Sequence, residues 1–587
     1  MPRTITPSTS IETLRKEAKR WLRALGAGDA DARARFERAW PAAPPNPTLR
    51  DVQHALAREY EHQSWIALKR AVAIADYERL ARDYVSGCDA RDEAALQRLN
   101  IYYRRSFSFD DLAAEIWSRV YAFRQRSSKV PKNYLQLDEA QMLVAQNAGF
   151  GSWTALIEGV RTGASPGPPY AIDATENRLA PRRQLSDADW ARVIAAMKER
   201  RITALSAHGL MTDAVLARIA ELDHVIALDL AGSQQLTEEG WLQLARMPQL
   251  QHLNLSEYPG GRLTDRSLEV LRHLPNLRTF AMTWQRGVTD AGVSNLRFCD
   301  QLERVDLMGS PTGDGAIEAV GGKTKLRHFA SGRHVTDEGL RLLHDLPLFK
   351  TWPGGGTGAR EHADSDRGAR LLIDGPFTND GLASLAGLEG IADLDLFWHV
   401  TGITSDGFAH LVDLPHLESL GADGRLADDI AMRHIAAMPR LRKLRAQESL
   451  ATDEGFESLA RSQTLQGFWG RVCPNFGSRG FLAFSRLPAL RSLGVGCANV
   501  DDAALSALPQ FPALRELTPI GFNDAGFRHI GRCARIERLT CMYCRETGDV
   551  ATEHIASLQL RYYYAGLTQI TDRSLEILGR MTSLEQI

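Results

Sequence analysis

The chain has 587 residues, with 70 Lys and Arg against 72 Asp and Glu and a formal net charge of -2, so composition supplies no general attraction to nucleic acid or to an acidic membrane. That length exceeds one ordinary hydrophobic core and leaves either about four compact domains or a solenoid that never closes. No run of about 18 apolar residues occurs, and the leading MPRTITPSTSIETLRKEAKR has no apolar secretion segment, so neither membrane spanning nor export is supported and a soluble, cytoplasmic protein is expected.

In chain order, the first feature is a duplication. Leu49 to Val72 (LRDVQHALAREYEHQSWIALKRAV) aligns without gaps to Leu137 to Val160 (LDEAQMLVAQNAGFGSWTALIEGV), matching Gln53 with Gln141, Ala57 with Ala145, Ser64 with Ser152 and Leu68 with Leu156. Residues 11 to about 75 and about 76 to 160 therefore read as two diverged copies of one all-helical module. Ser64 and Ser152 can cap free amides of a helix start, and Trp65 and Trp153 behind them are expected in the core. AREYEHQSW and AQNAGFGSW resemble the helical leader ahead of ankyrin repeats in many bacterial proteins, which implies protein contact. Phe109 to Phe123 (FDDLAAEIWSRVYAF) resembles the helix of an F-box, without its leading Leu-Pro, and equally reads as an amphipathic helix with Leu112, Ile116 and Val120 on one stripe.

Residues 161–184, rich in Pro, Gly and polar letters, read as a linker. From Leu185 to Ile587 about fifteen repeats of about 24 residues follow. Leu263 to Gly287, LTDRSLEVLRHLPNLRTFAMTWQRG, shows how one works. Thr264 and Asp265 open a helix, the Thr capping free amides and the Asp meeting the positive end of the dipole. Leu268, Leu271 and Leu274 then share one face, and Pro275 stops the helix. The alternating text that follows, as in Leu250-Leu253-Leu255 or Ile391-Leu394-Leu396, predicts a short strand with one face inward. No single unit can bury its own apolar face, so stability must come from stacking. One insertion, residues 353–370, separates helix starts at Val335 and Phe377; an additional strand near Ala369 to Gly375 is expected beside it. Leu584 to Ile587 starts a further strand.

ValThrAspAlaGly at 288–292, with Cys299 three residues before Leu302 and Cys533 three before Ile536, resembles the cysteine-containing leucine-rich repeats of F-box receptors and of related bacterial effectors. The resemblance implies an α/β horseshoe with a parallel concave sheet and outer helices, preceded here by the all-helical module. The excess of Arg over Lys suggests a GC-rich bacterial genome.

Candidate chemistry is sparse. Cys541, Cys544 and Cys533 invite a zinc reading, but repeat register places Cys541 and Cys533 inward as core thiols, and the odd total of seven cysteines fits reduced thiols. The Gly-rich run at 353–370 lacks the Gly-Lys-Ser/Thr of a phosphate loop; His362, Asp364 and Asp366 there are conceivable metal ligands. No catalytic constellation stands out, so no enzyme activity, cofactor or resident metal is expected. What varies between repeats is the outward strand positions: Asp229, His252, Asn254, Arg304, Asp306, His328, Asp393, Asp395 and Asp423, then Lys443, Arg445, Trp469 and Arg471, then Arg538, Tyr562 and Tyr564, with Trp284, Phe397, Trp398 and Tyr543 just beyond the strands. Exposed Trp, Tyr and Arg carry most interface energy. The expected function is a non-catalytic scaffold gripping a protein partner on the concave face. Trp398, Trp469, Arg445 and Arg471 would be its anchors, Phe397, Tyr562 and Tyr564 added ring contacts, and Asp393 and Asp395 steering charges. Alternatives are an F-box-like substrate receptor of a ubiquitin ligase and a sensor of a small molecule or glycan, in which the aromatics would line a pocket.

Overall fold

The computed structural model describes residues 3–6, 9–103, 105, 107–127, 134–164, 167–182, 185–257, 262–353, 368–566 and 568–587. The chain divides into two compact units, Met1–Tyr121 with Pro131–Arg200 and Ala122–Val130 with Arg201–Ile587. Among the described residues no helix is long and apolar enough to cross a membrane.

The first unit is helical. Ile11–Gly26, Ala30–Ala39 and Leu49–Glu59 close around Trp21, Phe36 and Leu56. The two related segments form helix pairs, Leu49–Glu59 with Trp65–Asp89 and Leu137–Asn147 with Trp153–Thr162. In both, the serine oxygen accepts a first-turn amide, Ala67 N–H to Ser64 and Ala155 N–H to Ser152, each at 3.1 Å. Leu68 and Leu156 are fully buried, but Trp65 and Trp153 are only half-buried. Each Trp is the first residue of its helix, an end position that is less enclosed than the helix interior. The helix Phe109–Ser127 turns Leu112, Ile116 and Val120 into the core on one stripe. Within 161–184 an antiparallel hairpin forms, Tyr170–Asp173 against Arg178–Pro181. Its turn closes because Asp173 Oδ1 accepts the amides of Thr175 and Glu176 at 2.9 and 3.2 Å, an Asx turn that composition alone does not reveal.

The second unit is built from one strand per repeat. From Ala204–Ser206 to Tyr562–Ala565 each strand pairs in parallel with the next. Their central residues fall in a single buried column that includes Leu205, Leu228, Leu253, Phe280, Val305, Leu394, Leu444 and Tyr563. Fully burying one such side chain stabilises by roughly 1.5–3 kcal/mol, and the stacked neighbours are what bury it. Of the insertion 353–370, residues 354–367, with His362, Asp364 and Asp366, lie outside the described residues. The strand Ala369–Ile373 that follows it pairs with His328–Ala330 on one side and Ile391–Leu396 on the other. It is therefore that repeat's own strand, continuous with the sheet on both sides.

The opposite edge of the repeat carries a ladder. Thr289 caps its own short helix, its Oγ1 accepting the Ala291 amide at 3.3 Å. Asp265 of the preceding repeat accepts both the Thr289 amide and the Thr289 hydroxyl at 2.7 Å. The same pair of bonds joins Thr237 to Asp213, Thr336 to Asp314, Thr378 to Asp337, Thr452 to Asp429 and Thr571 to Asp549. In all of these repeats but the last, where Ser574 donates its hydroxyl to Asp549, the residue three after the Thr is Gly, and the ladder is the reason. A Cβ at Gly292 would lie 2.5 Å from Asp265 Oδ1, and one at Gly240 would lie 1.8 Å from Asp213 Oδ1. Several of these helices are 3₁₀ rather than α: Arg266–His273 buries Leu268 and Leu271 on one face, and a strict spacing of three suits three residues per turn.

Candidate functional site

Two side chains per strand, one on each side of the buried column, point away from the helices. Many are small: Ala281, Ala330, Ser419, Gly421, Gly467 and Gly494 stand among them. Between them one connected cluster of charge spans four neighbouring strands. Arg370 reaches Asp393 at 3.5 Å and Asp395 at 3.4 Å, while Arg445 bonds Asp395 at 2.8 Å and also Asp423. Asp395 and Arg445 are two strands apart and meet over Gly421, where a Cβ would lie 1.8 Å from Asp395 Oδ1. Burial pushes the Asp393 carboxyl up, with Arg370 pulling partly against it, and burial likewise pushes Asp423 up against Arg445. Burial lowers the Arg445 guanidinium, but its bonds to the two carboxylates carry it above its ordinary value. Beside them His328 is pushed down to about 3, by burial first and then by Arg304 and Arg370, so it stays neutral.

The other sequence-predicted residues fall into two kinds. Some rings and cations are already engaged within the sheet. Trp469 lies on Gly494, whose Cβ would stand 2.3 Å from the ring, and Tyr564 lies on Gly566 in the same way at 2.4 Å from its hydroxyl. Arg538 stacks on Tyr562 at 4.2 Å, and Arg471 reaches across two strands to the ring of Tyr543 at 5.4 Å. Trp398, by contrast, is 68% exposed.

Trp398 belongs to an assembly at the strand ends. Phe397 and Trp398 are stacked at 5.0 Å with planes 8° apart, and Trp284 touches both, at 6.4 and 6.1 Å. Trp284 comes from four strands away and lies flat over Gly309. The backbone there is unusual. In several repeats the third residue after the second outward position is left-handed, and Gly232 and Gly309 take it at φ 70° and 72°. Trp284, Glu448, Val472 and Tyr543 hold the same slot at φ 61°, 59°, 57° and 54°, a conformation costing a residue with a Cβ roughly 1–2 kcal/mol. Next to the rings is a cavity of about 410 Å³, lined by Phe397 and Trp398 and by Asp423, Arg425, Gln447 and Glu448. Arg425 is tied to the Val400 carbonyl at 2.7 Å, and Gln447 N–H donates to Asp423 at 2.9 Å.

The cysteines lie in the core. Cys299 and Cys533 occupy the same helix-end slot and donate to carbonyls, of Leu271 at 3.4 Å and His529 at 3.3 Å. Cys541 and Cys544 are buried, and Cys544 donates to the Pro519 carbonyl at 3.1 Å. Among the described residues no group of three His, Cys, Asp or Glu is placed to hold a metal ion.

A parallel strand per repeat, a buried leucine column and helices on one side define the second unit as a leucine-rich-repeat solenoid. No family model and no curated protein matches the chain. Among solved structures it is similar to a chain of the Rad7 and Elc1 complex from yeast, at 14% identity and TM-score 0.35 over 71% of this chain and 94% of that one. It is also similar to an internalin (inlF) from Listeria monocytogenes, at 17% identity and TM-score 0.30 over 68% and 94%, and to a chain of the TLR13–ssRNA13 complex, at 13% identity and TM-score 0.40 over 71% and 67%. With TM-scores below one half these likenesses carry no argument, and the class rests on the repeat itself.

Proposed function

We propose that the protein is a non-catalytic interaction scaffold whose repeat unit binds a protein partner through the concave, outward face of its sheet. The observation that supports this most is the run of charge and large rings on neighbouring strands, from Arg370 through Asp393, Asp395 and Arg445 to Trp469 and Arg471, set among small residues such as Gly421, Gly467 and Gly494. Hot-spot residues concentrated in one patch are what an interface needs. Since Arg445 and Asp395 already neutralise each other, their part is to fix the shape and pattern of the patch. Trp398 supplies free apolar surface at its edge.

The helical unit, with its ankyrin-leader-like text, is read as a second protein-contact module, and the repeats as the cysteine-containing class in a bacterial, cytoplasmic protein. The F-box reading is less favoured, because the stripe Leu112, Ile116 and Val120 is spent inside the unit's core. Affinity capture from the source cell with wild type and a Trp398→Ala/Trp469→Ala/Arg471→Glu variant tests the scaffold reading. Partners held by wild type and lost by the variant are expected; partners retained equally by both overturn it.

A further inference from the structure

The cavity at the strand ends differs in kind from the sheet face beside it. At about 410 Å³ it has the size of a small-molecule site rather than of a broad protein interface. One wall is aromatic: Trp398 is stacked on Phe397 and is itself exposed. A ring face of that kind accepts the C–H face of a sugar ring or a cation, so the rings alone do not choose the ligand.

The polar lining does. Asp423 and Glu448 are set against Arg425, and Asp423 is additionally held by Arg445. The lining therefore offers both signs of charge side by side. The carboxylates, the Arg425 guanidinium and the Gln447 amide are each planar groups with paired nitrogen or oxygen atoms, able to donate to or accept from two neighbouring hydroxyls at once. A neutral ligand dense in hydroxyls uses both signs of this lining, whereas a cationic side chain would meet Arg425.

The backbone adds an independent pointer. Glu448, an exposed residue, stands in the left-handed slot that Gly232 and Gly309 fill elsewhere and that Trp284, Val472 and Tyr543 also take. Among the described residues its carboxylate makes no hydrogen bond or ion pair that would offset that cost. A strained residue with an unspent carboxylate in a cavity wall is a pointer to ligand binding. We propose that this rim cavity binds a neutral, hydroxyl-rich ligand, a short saccharide whose apolar face lies on Trp398 and whose hydroxyls are held by Asp423, Arg425, Gln447 and Glu448. The proposal does not depend on protein binding by the sheet face.

The test is an array of neutral oligosaccharides probed with the full-length protein, with each hit titrated by tryptophan fluorescence and calorimetry. Wild type is compared with Trp398→Ala, Glu448→Gln and Glu448→Gly. The last variant relieves the backbone and is expected to keep or raise the urea midpoint, which separates a binding role from a folding one. At least one saccharide is expected to bind and to be weakened about tenfold by each variant, about 1.4 kcal/mol. An array without hits, or hits indifferent to Trp398→Ala and Glu448→Gly, overturns the proposal. So does a lysine-rich peptide that binds in place of any saccharide and is lost in the same variants.

Discussion

The two edges of a repeat obey opposite rules. Along the edge where helices start, one bond recurs: Thr289 to Asp265, Thr336 to Asp314 and Thr452 to Asp429 are the same contact in different repeats. Along the outward face, Asp395, Gly421, Arg445, Trp469 and Gly494 are consecutive occupants of one column. What recurs holds the stack together, and what varies is free to be used. Yet much of the variation is consumed internally, as Arg445 meets Asp395 over Gly421 and Trp469 covers Gly494. A departure from the repeat marks a recognition residue only where it leaves a group unspent, as with the carboxylate of Glu448 and the exposed surface of Trp398.

If the recurring edge carries the stability, its glycines should be the least replaceable residues in the unit. Gly292→Val would put a Cβ 2.5 Å from Asp265 Oδ1 and 2.9 Å from the Asp265 Cα, a backbone atom that cannot swing aside. A loss of about 3 kcal/mol is expected, read as a lower urea midpoint with faster hydrogen exchange around Thr289. On the variable face Gly421→Val meets only side-chain ends, Asp395 Oδ1 at 1.8 Å and Arg445 Nη2 at 2.5 Å. The expected loss there is smaller, about 1–2 kcal/mol, with the Arg445 bridge broken. Equal losses at the two glycines would erase the distinction between the edges. Asp265→Ala removes one rung of the ladder; because Thr289 is exposed, water replaces the carboxylate and about 1 kcal/mol is expected. No change in the urea midpoint would reduce the ladder to decoration.

The repeat, the strands and the buried column were legible because each leucine answers to a period that any 24-residue window displays. The Thr-Asp text was half legible. Thr289 does cap its helix, but Asp265 acts on the next repeat rather than on its own helix dipole, and only the Gly at 292 encoded that, through the space its missing Cβ leaves. Contacts between distant repeats were not legible. Trp284 meets Phe397 and Trp398 from four strands away, its ring lying against Gly309 on the way, and nothing local in either segment records it. Glu448 could have been found by aligning each repeat on its post-strand turn, where it stands opposite Gly232 and Gly309.

The smallest expected effect is a titration on the variable face. His328 lies near Arg304 and Arg370 and is pushed down to about 3, by burial before the two guanidiniums. Its ordinary value is 6.5, so as pH falls below that the unfolded chain binds a proton at residue 328 that the folded chain refuses. Stability is then lost progressively as pH drops from about 6.5 towards about 3, by under about 1 kcal/mol between pH 7 and pH 6. Asp393, whose carboxyl is raised by burial, titrates with the opposite sign, since its folded form takes up the proton first. Comparing wild type with His328→Gln cancels that contribution, because both proteins share it. Urea unfolding across this pH range should therefore show a shallower loss for the variant. Parallel curves would mean that His328 accepts its proton in the folded chain, and that the arginines of this face leave it free to do so.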